Sequence, residues 1–152
     1  MKIRTAIISS VIALIVVAIV GVALYVHPDE PLPIFVSNKA PFTFELADTE
    51  SKRTQGLSGR TELPAGYGML FVFERAGRYG FWMKDMHVSI DIIWLTDDGV
   101  ILDIEENVAP ETYPTPFYPP VPVRYVLETR EGEATAQGWR AGTRIALPKE
   151  AQ

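Results

Sequence analysis

Between Gly68 and Trp94 the apolar residues arrive in runs of strand length, and this spacing points to a sheet-based fold. The runs are Gly68-Met69-Leu70-Phe71-Val72-Phe73, Phe81-Trp82-Met83 and Ile90-Asp91-Ile92-Ile93-Trp94. Each is bounded by turn-forming or charged residues, so each reads as a strand. Lys84 and Asp91 are flanked by large hydrophobes. A charge in that setting needs a partner or faces a pocket.

The front of the chain follows a different rule. Lys2 and Arg4 precede a charge-free stretch from Ile7 to Val26, and Asp29 and Glu30 follow it. About 20 apolar residues span the hydrocarbon core as a helix, where the Ile- and Val-rich composition has no alternative to helix. The positive-inside rule puts the N-terminus in the cytoplasm and everything after the helix outside. The run is longer than a signal-peptide core, and Ala23-Leu24-Tyr25 is a poor cleavage site, so an uncleaved signal anchor is preferred to a cleaved signal. The domain is then periplasmic in a Gram-negative cell, or secreted if the segment is cut. The chain has no Cys, which excludes a disulfide framework and thiol chemistry. Without Lys2 and Arg4 the chain carries 12 basic against 19 acidic residues. That balance argues against nucleic acid and against docking on anionic lipid.

Three regions follow: residues 1–26 as anchor or signal peptide, 27–41 as a Pro-rich linker, and 42–148 as a β domain. Pro28, Pro31, Pro33 and Pro41 favour an extended stalk. Strands are expected over Phe42 to Ala47, Met69 to Phe73, Phe81 to Met83, Ser89 to Leu95, Val100 to Asn107, Arg124 to Thr129 and Thr143 to Leu147. A helix over Ser51 to Leu57 takes Asp48 or Thr49 as N-cap, and a second falls within Glu131 to Trp139. Asp97-Asp98-Gly99 reads as a hairpin turn. Val108 to Val123 holds half of the chain's 12 prolines. A strap over a sheet edge is preferred there to a functional lid. The expected fold is mainly β (α+β): an antiparallel barrel-like or sandwich sheet with one or two short helices, behind an N-terminal transmembrane helix.

Arg53-x-x-Gly56-Leu57, Arg60-x-x-Leu63, Gly68-Met69-Leu70-Phe71-x-Phe73, Phe81-Trp82-Met83-Lys84, Asp91-Ile92-Ile93 and Tyr125-Val126-Leu127-Glu128 together resemble the DUF192 (UPF0127) family. Gly132, Gly138 and Gly142 extend the likeness, which covers Phe42 to Leu147. The resemblance implies a small, mainly β domain, often behind an export signal, with no established general activity. The chain departs from the family's usual pattern at Ser58, where Met is usual. It departs again at Asp85-Met86, where Asn-Thr is frequent, and at Ser89-Ile90-Asp91, where a Pro often precedes.

Several chemistries fail on spacing. Gly56-Leu57-Ser58-Gly59 lacks the pattern of a nucleophile elbow. His27 and His87 are too few for a closed zinc site, so no metal is expected. Asp97-Asp98-Gly99 lacks the rest of a calcium loop. Gly66-Tyr67-Gly68 has Phe71 where a dinucleotide fingerprint needs glycine. No cofactor is implied. Asp91 and Glu128 lie in apolar strands, and each is expected to pair with Arg53, Arg60, Lys84 or Arg124. Contact with a ligand is the second reading of both carboxylates, and acid–base catalysis the third. Trp82 and Lys84, two apart on a presumed strand, share a face and suit a pocket rim.

The expected function is a membrane-tethered extracytoplasmic binding or accessory module for a glycan, a peptide or a small polar molecule. Arg53, Arg60, Trp82, Lys84, Asp91 and Glu128 are its candidate ligand-binding residues. The alternatives are a cell-envelope hydrolase or lyase using Asp91 and Glu128, and an assembly protein that docks a membrane partner through the Pro-rich loop. Alkaline phosphatase matures only in an oxidising compartment, so a fusion of it after Gln152 should be active. Reversing Lys2 and Arg4 to Glu should lower that activity. Activity only of a cytoplasmic reporter at the same junction would refute the topology.

Overall fold

The computed structural model describes residues 42–152. The expected anchor and linker lie outside the described residues, and no described helix is long and apolar enough to cross a membrane. Five strands form one sheet: β1 (Thr43–Ala47), β2 (Tyr67–Gly77), β3 (Ile90–Leu95), β4 (Ile101–Val108) and β5 (Val123–Arg130). Their order is β1-β2-β5-β3-β4. Two short helices accompany them, α1 (Glu50–Gln55) and α2 (Glu133–Gln137).

The mainly β character is as expected, but the sheet is neither a barrel nor an antiparallel sandwich. It is open, with β1 and β4 at its edges, and it is mixed. β1 pairs parallel to β2, from Thr43 opposite Tyr67 to Ala47 opposite Phe71. A parallel neighbour requires a crossover, and the segment carrying α1 supplies it. Thr49 caps α1 by accepting from the Lys52 N–H at 3.3 Å, and Gly56 ends the helix with φ 51°. The remaining pairs are antiparallel.

Both faces of the sheet are covered, which removes the need for closure. All six residues of β3 are buried, as a strand covered on both sides requires. On one face Met69, Phe71, Ile92, Trp94 and Val126 pack with Leu57, Phe81 and Met83. On the other, Leu70, Ile93, Leu95, Tyr125 and Leu127 pack with Ala134, Trp139, Ile145 and Ala151. Irregular chain and short helices therefore do the work of a second sheet.

Two expected strands are reduced to single bridges. Phe81 to Met83 contributes only the pairing of Phe81 with Phe117, through N–H···O bonds of 2.9 and 2.7 Å. Thr143 to Leu147 contributes only Val100 with Arg144. The apolar residues in both segments cover a sheet face and do not extend a ladder. The Pro-rich loop thus straps down the segment around Phe81, and the Pro119 carbonyl also accepts from Arg78 at 3.1 Å.

The turn between β3 and β4 holds the C-terminal segment. The Ile145 N–H donates to the Gly99 carbonyl at 2.8 Å, and Gly99 has φ 80°. A Cβ at Gly99 would collide with the Ile145 carbonyl oxygen. Positive-φ strain and overpacking each cost about 1–3 kcal/mol. Gly99→Ala should therefore lower stability by about 2–4 kcal/mol in urea unfolding, and an unchanged midpoint would contradict this packing.

Candidate functional site

The register decides where the two carboxylates point. Asp91 stands opposite Thr129, and Glu128 stands opposite Ile92 and Met69. Cross-strand partners share a face and successive residues alternate. Asp91 and Glu128 therefore lie on opposite faces of the sheet, and the structure does not bring them together.

Asp91 is fully buried and accepts three backbone N–H bonds. They come from Asn107 at 3.0 Å, Gly132 at 3.3 Å and Ala134 at 3.0 Å. Gly132 is the N-cap position of α2 and has no side chain to cap with. The Asp91 carboxylate fills that role from β3. Asn107 lies where β3–β4 pairing shifts register between Ile90 and Ile92, so Asp91 also satisfies an N–H that the ladder passes over. Its partners are backbone groups and not the arginines expected from sequence.

Glu128 is the opposite case. It is 5% exposed, and no side-chain hydrogen bond or ion pair joins it to any described residue. Burial pushes its pKa from 4.5 to about 8. A cavity of about 330 Å³ lies over it, lined by α1 and the turn after it, by β2 and by the Tyr79–Trp82 segment. Gly56 forms part of the roof. A Cβ there would come within 3.9 Å of Glu128 Oε2 and 3.4 Å of the Phe71 ring.

The walls are aromatic. Phe71 meets Phe81 edge-on at 4.8 Å, and Phe81 meets Trp94 edge-on at 5.4 Å. Tyr79 stacks on Phe73 at 3.7 Å, and the Arg53 guanidinium lies 5.4 Å from the Phe73 ring centre. Arg53 Nη1 donates to the carbonyls of Asp48 at 2.9 Å and Val72 at 2.8 Å, which fixes α1 against β2. Trp82, 55% exposed, stands at the mouth.

A polar groove adjoins the cavity, sharing Glu50, Thr54, Gln55 and Ser58 with it and adding Ser51, Lys84 and Asp85. Ser58 Oγ–H donates to the Lys84 carbonyl at 2.9 Å, and the Gly59 N–H to that of Asp85 at 2.8 Å. Of the six sequence candidates, Arg53, Trp82 and Glu128 line the cavity, and Lys84 lines the groove. Arg60 lies elsewhere. It forks onto Glu45 at 3.0 and 2.9 Å and donates to Tyr67 at 2.6 Å. The Tyr67 hydroxyl, with Arg60 beside it, holds the Glu45 carboxyl below its usual range. Sequence reasoning missed Gly56 and Phe73 as cavity residues. The glycine at the end of a predicted helix was the available signal for the first.

These features define a small α+β domain with an open mixed sheet and a ligand-sized aromatic cavity on one covered face. The chain belongs to the DUF192 family (Uncharacterized ACR, COG1430), whose model matches residues 34–147. Two crystal structures are similar to it. One, from Sinorhizobium meliloti 1021, is provisionally described as a transcription regulator. It is 35% identical over 68% of this chain and 79% of its own, with a TM-score of 0.65. The other is a protein of unknown function from Novosphingobium aromaticivorans DSM 12444, 30% identical over 80% of this chain and 91% of its own, with a TM-score of 0.69. No curated protein matches the chain.

The two carboxylates respond oppositely to substitution. Asp91→Asn removes a charged acceptor from three buried N–H groups and should cost about 3–5 kcal/mol. Glu128 keeps its proton in the folded state up to about pH 8 and loses it near 4.5 when unfolded. Between those values the folded state binds the extra proton, so stability falls by about 1.4 kcal/mol per pH unit as pH rises. Glu128→Gln removes this slope. Urea unfolding should find the variant equal to the parent at pH 4.5 and about 3 kcal/mol more stable at pH 7. A constant difference across pH would refute the burial argument.

Proposed function

We propose that the chain is a membrane-tethered, extracytoplasmic binding module that holds a small ligand in the cavity over Glu128. The observation carrying this reading is a buried carboxyl without a partner beneath an aromatic-walled cavity. A cavity of about 330 Å³ falls within the range of small-molecule sites, roughly 300–1,000 Å³, which are mostly apolar with a few placed polar groups. The Glu128 carboxyl has no partner in the fold among the described residues and opens onto the cavity, so whatever occupies the cavity is what can bond it. The tether rests on the charge-free stretch from Ile7 to Val26.

An enzymatic reading has one observation in its favour. A carboxyl protonated near neutrality is the form a general acid requires. The carboxyl that shares the cavity with Glu128 is Glu50, not Asp91, so a hydrolase or lyase here would not use the Asp91/Glu128 pair.

A thermal-shift screen of the full chain against envelope glycans, short peptides, metals and phosphorylated metabolites tests the proposal. A ligand that raises the melting temperature should bind about tenfold more weakly to Trp82→Ala, given the worth of an aromatic contact. It should bind unchanged to Arg60→Ala, since Arg60 is outside the cavity. Equal loss in both variants, or in neither, would overturn the cavity assignment. Consumption of the hit over time would favour the enzyme. If nothing shifts the melting, docking through the Pro-rich loop is what remains, supported by its exposed Tyr113, Tyr118 and Val121.

A further inference from the structure

The ligand's chemistry follows from what the cavity lacks. Its floor holds a carboxyl with no cationic neighbour, and its walls are ring faces and edges. Arg53 is the cationic residue in the lining; its guanidinium lies on the Phe73 ring, its Nη1 donates to two backbone carbonyls, and it makes no ion pair with Glu128. That stack shows that a wall ring already accepts a cation on its face. The other charged groups around Glu128 do not neutralise it. Glu50, from α1, is itself an acid, and the Tyr79 hydroxyl donates to the Arg75 carbonyl at 2.9 Å. The neighbours from β2 and β3 are Met69 and Ile92. Tyr67, farther along β2, is held by Glu45 and Arg60, and Arg130, two residues along β5, is held by Glu133 at 2.7 Å.

An ionised carboxylate in such a place needs a positive charge and N–H donors. Ring faces stabilise the same positive charge. An alcohol or sugar would satisfy hydrogen bonds but leave the aromatic walls without their electrostatic partner. An anion would meet Glu50 and could use Glu128 only as a protonated donor.

We propose that the cavity binds a ligand through a primary ammonium group, which donates to the Glu128 carboxylate between the aromatic walls. This rests on the reading of the cavity as a ligand site. It has a consequence that a sugar or a neutral amide would not share. In the free protein Glu128 keeps its proton to about pH 8, whereas beside an ammonium it gives that proton up. An alkylamine stays charged to about pH 10. Binding therefore releases one proton below pH 8, and affinity rises as pH rises.

Met86 lines the cavity, while Met69 and Met83 are buried in the core beside it. Carbon-13 methyl-methionine NMR of the full chain in a non-ionic, amine-free detergent therefore reports binding at Met86 and integrity at Met83, while Met69 stands directly opposite Glu128. The probes are n-butylamine, tetramethylammonium, n-butanol and butyrate, each titrated at pH 6, 7 and 8. Butylamine should shift Met86, with affinity rising up to about tenfold per pH unit. Tetramethylammonium, which has no N–H, should bind more weakly, and butanol and butyrate more weakly still. Glu128→Gln should weaken butylamine at least about tenfold at pH 8 and remove the pH slope, with the Met83 signal in place.

Affinity that falls as pH rises would mean that Glu128 acts as a neutral donor, and would overturn the proposal. Equal binding of butanol, or of butylamine to Glu128→Gln, would do the same. If butanol or butyrate moves Met86 and butylamine does not, the ammonium assignment fails while the binding module stands. If no probe moves it, both lose their support. The slope in the unaltered chain tests the idea even if the variant folds poorly.

Discussion

The Asp91 carboxylate is the constraint on which much of the structure hangs. It sits on β3, fully buried, and joins three pieces of backbone that no ladder connects: the offset in β4, the turn after β5 and the start of α2. Charge-assisted bonds of this kind are about twice as strong as neutral ones. A helix of five residues would be marginal by itself. Here it is held on the sheet by a carboxylate, and Ala134 behind it joins the core of that face. The packing of Trp139, Ile145 and Ala151 follows from where α2 is set.

The sheet therefore carries one acid on each face, with opposite fates. Asp91 has its bonds supplied by the fold, and its face is filled. Glu128 has none among the described residues, and its face is left with a cavity. The contrast separates a structural carboxylate from a functional candidate more firmly than burial alone, since both are buried. The aromatic residues on the Glu128 side are rigidly arranged by edge contacts and by the Arg53–Phe73–Tyr79 stack.

Most strands were legible because their patterns are local. Phe42 to Ala47 alternates, Thr49 precedes a short polar helix, and Asp97-Asp98-Gly99 marks a hairpin. The closure of the sheet was not legible. Alternation looks the same in a barrel wall and in an open sheet covered by loops. The unbroken run from Ile92 to Leu95 was the clue that β3 is covered on both sides. For the site, Asp91 and Glu128 could be recognised as charges in apolar strands. Their faces depend on pairing register, and a slip of one residue between β3 and β5 would put both on one face. With Asp91 opposite Thr129, they part. Arg60 likewise reads as a pocket residue until Glu45 and Tyr67, brought beside it by the β1–β2 pairing, are seen to claim it.

An open sheet also has edges. β4 is one of them, and along it run Asp103, Glu105 and Glu106, with the register offset beside them. A second copy approaching edge to edge would set these acids against its own and would meet a strand bent out of register. Both are recognised ways of blocking strand addition. Three of the chain's acids thus stand where they oppose the addition of a second copy's strand to this edge.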